Sequence, residues 1–193
     1  MSRIIYGINP VTEALSSRPQ DFKEIIIFSA RTGRDIDNIK NLASRSRIRL
    51  RIGDRQEFQR LAGNENHQGV MAILKEFRYA DMEDILHKWK TSGGRAFILI
   101  LDSIEDPQNL GSLIRTADAS GVHGVIIPKD RAASVTPTVV KTSAGATEHT
   151  MIYQGTNIAQ TIEMLKKQGI WVVGIEGDAK DTIYNSDLNI DVA

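Results

Sequence analysis

Hydrophobic positions between 97 and 127 frame the chain. Residues 97–101 are a short, wholly apolar run bounded by Gly93-Gly94 and Asp102. That length predicts a strand buried on both faces. Asp106-Pro107-Gln108-Asn109 interrupts the run, and Asn109 is expected to cap a helix through its side-chain carbonyl. Leu110, Leu113, Ile114 and Ala117 then recur at i, i+3, i+4 and i+7, the apolar face of a helix. Gly121 ends it, and 122–127 reads as a second buried strand. The three pieces make a βαβ unit, a motif that holds ligands beyond the carboxyl ends of its strands.

The same patterning extends along the chain. Asn9-Pro10 predicts a capped helix reaching Leu15. Residues 24–29, with three isoleucines, read as a strand. Asp35 is expected to cap a helix carrying Ile36, Ile39, Leu42 and Ala43. Residues 47–52 alternate strictly, predicting a strand with one apolar and one arginine face. Asp54 caps a helix to Leu61, and 69–74 is a further strand. The stretch 78–96 is weaker, with a helix expected over 81–89 and a flexible turn at 91–94. The predicted organisation is a domain over 1–78, a linker over 79–96 and a second domain over 97–193. Beyond the βαβ unit, 128–136 reads as loop, 138–146 as helix and 151–153 as strand. Asn157 caps a helix bearing Ile158, Ile162 and Leu165, and 170–175 reads as another strand. Strands alternating with helices predict a parallel sheet covered on both faces.

Charge divides this picture. The chain has no net charge, yet 1–78 holds 14 Lys/Arg against 9 Asp/Glu, while 79–193 holds 10 against 15. A basic front half points to a polyanion partner on that half. Arg45, Arg47, Arg49 and Arg51, with Arg55 and Arg60 after them, are the candidate contacts, since guanidinium forks match phosphate oxygens. Charge that guards an edge strand against aggregation gives the same pattern. There is no cysteine, hence no disulfide or thiolate metal site. The four histidines share no metal-ligand spacing, so no metal is expected. No window approaches a membrane span, and Met-Ser-Arg-Ile-Ile-Tyr-Gly lacks the apolar core of a signal peptide, so a cytoplasmic location is expected.

On the central helix, Arg115 lies off the apolar face. Helical side chains lean toward the N-terminus, which carries Arg115 back over Gly111 toward Asn109. A solvated helix arginine and a cationic fork at the mouth of a crevice both fit this spacing. Ser143-Ala144-Gly145-Ala146 permits close backbone approach, most simply for packing. Glycines in Gly174-Ile175-Glu176-Gly177 follow the last expected strand and could admit a ligand to its carboxyl end.

Asp106-Pro107-x-Asn109-x-Gly111-x-x-x-Arg115-x-Ala117, directly after an apolar strand ending in Asp102, resembles the first motif of the SpoU (TrmH-like) RNA ribose methyltransferases of the SPOUT class. Tyr6-Gly7-Ile8-Asn9-Pro10-Val11, His67-Gln68-Gly69-Val70 and Lys141-Thr142-Ser143-Ala144-Gly145-Ala146 are similar to motifs of the subgroup with an extra N-terminal RNA-binding domain. The resemblance runs from about residue 4 to the end of the chain.

The resemblance implies a small α/β RNA-binding domain followed by a SPOUT-type, trefoil-knot methyltransferase domain with a parallel sheet. The implied reaction is S-adenosylmethionine-dependent 2′-O-methylation of a ribose, in a guanosine of 23S ribosomal RNA. Arg115 would act as base or as stabiliser of the alkoxide, with Asn109 fixing it. Gly174, Ile175, Glu176 and Gly177 would form part of the cofactor pocket. His67 would support the RNA surface, and the second domain would pair two chains as a homodimer. The family carries two further motifs, a Gly/Glu-rich loop and a Ser-Leu-Asn segment, past the place where 188–193 closes this chain. The expectation is thus a methyltransferase domain that stops before the knot is completed, in which case the 193 residues would be inactive. A non-catalytic RNA-binding or assembly module, and a tRNA or antibiotic-resistance methyltransferase, are the alternatives.

Overall fold

The computed structural model describes residues 2–63 and 66–193. Contacts divide the chain into two units. The first comprises residues up to 78 with 107–115 and 134–149; the second comprises 79–106, 116–133 and 150–193.

The first unit is built on a four-stranded mixed sheet. Its strands are β1 (Ser2–Tyr6), β2 (Phe22–Phe28), β3 (Leu50–Gly53) and β4 (Val70–Lys75), in the order β1-β4-β2-β3. Strand β4 runs antiparallel to β1 and β2, and β3 lies parallel to β2 at the sheet edge. One face carries α1 (Ile8–Ser17) and α2 (Arg34–Arg45), whose Val11, Leu15, Ile36 and Ile39 enter a core with Ile25, Ile27 and Leu74. The other face packs α3 (Arg55–Ala62) through Phe58 onto Ile26 and Met71. Asp54 caps α3 as expected, accepting from Glu57 N at 2.8 Å.

One strand of this unit was not expected, and three local expectations are corrected. Strand β1 was not legible: its partner is β4, about 70 residues away in sequence, and nothing local announces the pairing. Helix α1 starts at Ile8, so Asn9 lies within it and does not cap it. The cap comes from Gln68, whose Oε1 accepts from Ile8 N at 2.9 Å. Strand β3 begins at Leu50 instead of 47, because Arg47 closes a turn after α2 with φ 55°. Ile52, expected on an apolar inner face, is exposed.

The second unit carries a parallel sheet of β5 (Ile98–Ile100), β6 (Gly124–Pro128) and β7 (Ile152–Gly155), in that order. Val192 bridges to Phe97 and to Trp171 in parallel sense, adding short rungs beyond β5. Within 79–96, the helix expected over 81–89 forms as α4 (Met82–Ser92). Asp81 and Asp84 close its capping box, and Gly93 ends it in the left-handed region. Ile85 is fully buried and lies where a side chain at Gly124 would be, so α4 seats directly on β6. With α7 (Ile158–Lys167), capped by Asn157, it covers Ile98, Ile126 and Ile170.

Strand β5 is shorter and less buried than expected: Phe97 is exposed and Leu99 and Ile100 are only partly covered. The strand expected over 170–175 is reduced to pairing by Trp171 and Val173 with Asp191 and Ala193. Among the described residues, no helix is long and apolar enough to cross a membrane.

Candidate active site and RNA surface

Helix α5 (Pro107–Ala119) carries both candidate catalytic residues. Pro107 takes the first helical position, which its fixed φ and missing N–H suit. Asn109 is therefore inside the first turn and is not the N-cap. Leu110, Gly111 and Ile114 are buried. Asn109, Ser112 and Arg115 succeed one another at intervals of three residues on the exposed side. That interval aligns them in one polar row. Ser112 was passed over in the sequence because a helical serine carries no local signal.

Gly111 serves a different purpose from the one its spacing suggested. A Cβ built on it would lie 2.8 Å from Thr142 Cβ and from Val139 O, and 3.1 Å from Ser143 N. These atoms belong to α6 (Pro137–Thr142) and the residue after it. The glycine thus lets α5 approach the backbone of α6. It is not a clearance for the Arg115 side chain, which lies on the exposed side and makes no ion pair or hydrogen bond among the described residues. Such a guanidinium is available to a ligand.

The Ser143–Ala146 cluster packs, as expected. Ser143 is buried and its hydroxyl donates to Val140 O at 3.0 Å. Gly145, at φ 93°, admits Glu13 Cβ and Pro10 Cα of α1 to within 2.8 and 3.4 Å of where its own Cβ would be.

The four residues expected at the cofactor, Gly174, Ile175, Glu176 and Gly177, form an exposed loop in the second unit. Cβ atoms at Gly174 or Gly177 would meet nothing within 4 Å, and Ile175 is 78% exposed. These residues alone do not fit an enclosed adenosyl group, and no chemistry is assigned to them.

The arginine candidates separate by environment. Arg45 ends α2, Arg47 sits in the following turn and Arg55 opens α3; all three are exposed. The Arg49 side chain is 75% exposed, its Nε 3.9 Å from Glu24. Arg51 is committed. It donates to both Glu57 oxygens at 2.7 Å and to Glu24 at 3.1 and 3.3 Å, and only 29% of its side chain is exposed. Its hydrogen bonds to Glu57, then Glu24, raise its pKa further, and the same bond from Arg51 lowers that of Glu57. Arg51 thus ties β3 to β2 and α3.

His67 stands against Phe58, ring centroids 4.6 Å apart, and its Nδ1 accepts from Gly69 N at 3.0 Å. Burial, then the nearby Lys141 charge, lowers its pKa, which favours the neutral ring that this bond requires. The next residues explain why two motifs distant in sequence belong together. Gln68 caps α1, and Gly7 N donates to Val70 O at 3.1 Å. Gly69, at φ 78°, leaves room for the stem of Arg31, an exposed cation absent from the expected set. Lys141 lies 5.3 Å above the Tyr6 ring. Among the described residues, no group of three or more His, Asp or Glu could hold a metal ion.

Residues 96–193 match the SpoU rRNA methylase family, and residues 4–80 match the RNA 2′-O ribose methyltransferase substrate-binding family. The chain belongs to the SpoU rRNA methylase family. Together the matches mark it as an RNA 2′-O-ribose methyltransferase whose substrate-binding part precedes its methylase part. It is 38% identical over 189 residues to YacO of Bacillus subtilis, assigned to the TrmH family of tRNA/rRNA methyltransferases, covering 98% of this chain and 75% of that protein. It is 35% identical over 191 residues to the Escherichia coli 23S rRNA (guanosine-2′-O-)-methyltransferase RlmB, covering 97% and 77%. Among solved structures, the SpoU methyltransferase AviRb of Streptomyces viridochromogenes in complex with AdoMet superposes with TM-score 0.78 at 18% identity, covering 99% of this chain and 70% of that one. That likeness places the fold among SpoU methyltransferases.

Proposed function

We propose that this protein transfers a methyl group from S-adenosylmethionine to a ribose 2′-hydroxyl of a guanosine in 23S ribosomal RNA. The observation that carries the reading is the exposed row Asn109-Ser112-Arg115 on the helix of the SpoU motif, with the Arg115 guanidinium uncommitted. The similarity to RlmB over nearly the whole chain supports the substrate. AviRb, solved with AdoMet, supports the cofactor.

The cofactor supplies an electrophilic methyl group on a sulfonium. The protein must hold the hydroxyl in line and accommodate the negative charge that develops on its oxygen as its proton passes to solvent. Arginine is a poor base, since its guanidinium holds its proton in proteins. Arg115 therefore stabilises the developing alkoxide by charge and hydrogen bonding, and Asn109 supplies an amide to orient the ribose. RNA is held by its phosphates on the first unit, where Arg45, Arg47, Arg49, Arg55 and Arg31 are exposed and the His67 loop is fixed by Gln68 and Gly69. The functional division is a substrate-binding part over 1–78 and a methyltransferase part over 97–193. The active form is a cytoplasmic homodimer paired through the second part, two-fold pairing being the commonest homo-oligomer.

The test is to map ribose methylation of ribosomal and transfer RNA in cells with and without the gene. Loss of one 2′-O-methylguanosine in 23S RNA is expected. Unchanged 23S RNA together with a lost tRNA site would reassign the substrate. Unchanged methylation throughout would overturn the reading in favour of a non-catalytic RNA-binding role.

A further inference from the structure

Within the first unit, Glu148 is the one buried carboxylate among the described residues. Its side chain is fully buried and receives both terminal nitrogens of Arg3 at 2.9 Å. Thr147 Oγ1 donates to the same carboxylate at 3.4 Å. Arg3 is only 11% exposed and stacks over Phe77, 5.1 Å from the ring centroid. Arg18 shares that ring at 5.8 Å and donates to Thr147 O at 3.4 Å. Arg3 belongs to β1 and immediately precedes residues 4–80, which match the substrate-binding family. Glu148 belongs to the segment that matches the methylase family.

A buried ion pair is poor evidence of stabilisation, because desolvating two charges offsets most of their attraction. Here Arg3 Nε is also buried with no partner, which adds a cost. Burial therefore does not account for the pair; its geometry does. Bidentate contact fixes direction as well as distance. Glu148 closes the turn after α6, and α6 is the backbone against which Gly111 of α5 is pressed. Gly111 is two residues from Asn109 and one helical turn from Arg115. His149 Nε2, next in sequence, contacts Glu13 of α1 at 2.8 Å, so the segment is held at two points.

We infer that Arg3 and Glu148 are positioning residues for methyl transfer, fixing α6, and through it the catalytic row of α5, against the sheet of the RNA-binding part. This rests on the function proposed above. RNA bound to the first unit then meets Asn109 and Arg115 in a set orientation. A misplacement of about 1 Å in such a site lowers turnover by on the order of a hundredfold.

The experiment uses the protein expressed from its own gene, assayed for methyl transfer to ribosomal RNA. The Arg3→Met/Glu148→Leu pair removes both charges with similar volume, an exchange that buried pairs tolerate. Arg3→Gln/Glu148→Gln, which keeps an amide contact, decides the matter should the first variant not fold. The inference expects kcat to fall by about 10–100-fold, with Tm nearly unchanged and KM for RNA within about twofold. Wild-type kcat in a folded variant would overturn it. So would a loss of kcat that tracks a fall in Tm and recovers on cooling, since the pair would then act only on stability. An active wild type beside equally active variants sinks this inference alone; an inactive wild type sinks the functional reading and the inference with it.

Discussion

Two glycine-bearing stretches looked alike in the sequence, and the structure sets them apart. Around Gly111, α5 is pressed on α6 so closely that any Cβ would collide with backbone. Around Gly174 and Gly177 nothing approaches within 4 Å, and neighbouring Ile175, Ile183 and Tyr184 are exposed. The first stretch is committed: its buried face is spent on packing, and Arg115 stands exposed on the other side. The second is uncommitted, and its apolar side chains stay largely or partly exposed. A glycine beside a functional motif thus says that space is needed, but not whether backbone, side chain or ligand fills it.

The largest consequence concerns stability. Gly111→Val forces α5 away from Val139 O and Ser143 N, which cannot swing aside as a side chain would, and should cost about 2–3 kcal/mol. Gly174→Ala should change stability by no more than about 0.5 kcal/mol. Urea unfolding of both variants measures the contrast. Equal effects would mean that the two glycines are not differently committed.

A smaller contrast of the same kind separates two arginines two positions apart. Arg51→Met leaves Glu24 and Glu57 without their shared fork and should cost about 1–2 kcal/mol. Arg49→Met should leave stability within about 0.5 kcal/mol. For RNA affinity the order reverses. Losing Arg49 should lower the slope of log K against log salt by roughly 0.7–0.9, the contribution of one phosphate contact. A salt slope unchanged in Arg49→Met, with Arg45 and Arg47 also neutralised, would make these arginines an edge-strand guard.

The smallest effect is a pH dependence. His67 has a lowered pKa in the fold, so the unfolded chain binds its proton more readily. Its contribution to stability is complete above the unfolded value of about 6.5 and is lost as pH falls through the folded pKa. Protonation also removes the acceptor for Gly69 N. Thermal unfolding at pH 7.5 and pH 5.5 should show a loss in the wild type that is reduced in His67→Phe. Identical pH dependence in the two would remove His67 as its source.

Local signals carried much of the fold. The periodicity of Leu110, Ile114 and Ala117, the Asp54 and Asn157 caps and the βαβ unit all appear where hydrophobic spacing and side-chain capping placed them. What escaped was set by partners distant in sequence. The cap of α1 comes from Gln68 rather than Asn9, and β1 exists only through its pairing with β4. The alternation over 47–52 was cut short by the turn at Arg47. At the site, the placing of Asn109 and Arg115 on one helix follows from the periodicity, and their roles rest on the resemblance of the motif. The reason for Gly111, the commitment of Arg51 and the stem of Arg31 over Gly69 depend on tertiary contacts that no spacing encodes.

The central claim is that the exposed guanidinium of Arg115 serves chemistry and not the fold. Arg115→Ala should leave Tm and RNA affinity unchanged, because the side chain has no partner among the described residues, while methyl transfer falls by about 100–1,000-fold, the usual effect of losing one charge-stabilising group. Arg115→Lys should recover little, since it lacks the planar fork. The direct measurement is single-turnover methylation of 23S RNA by the Arg115→Ala protein alongside its Tm. A slow, fully folded variant is the predicted result, and a folded variant that methylates at the wild-type rate would contradict it.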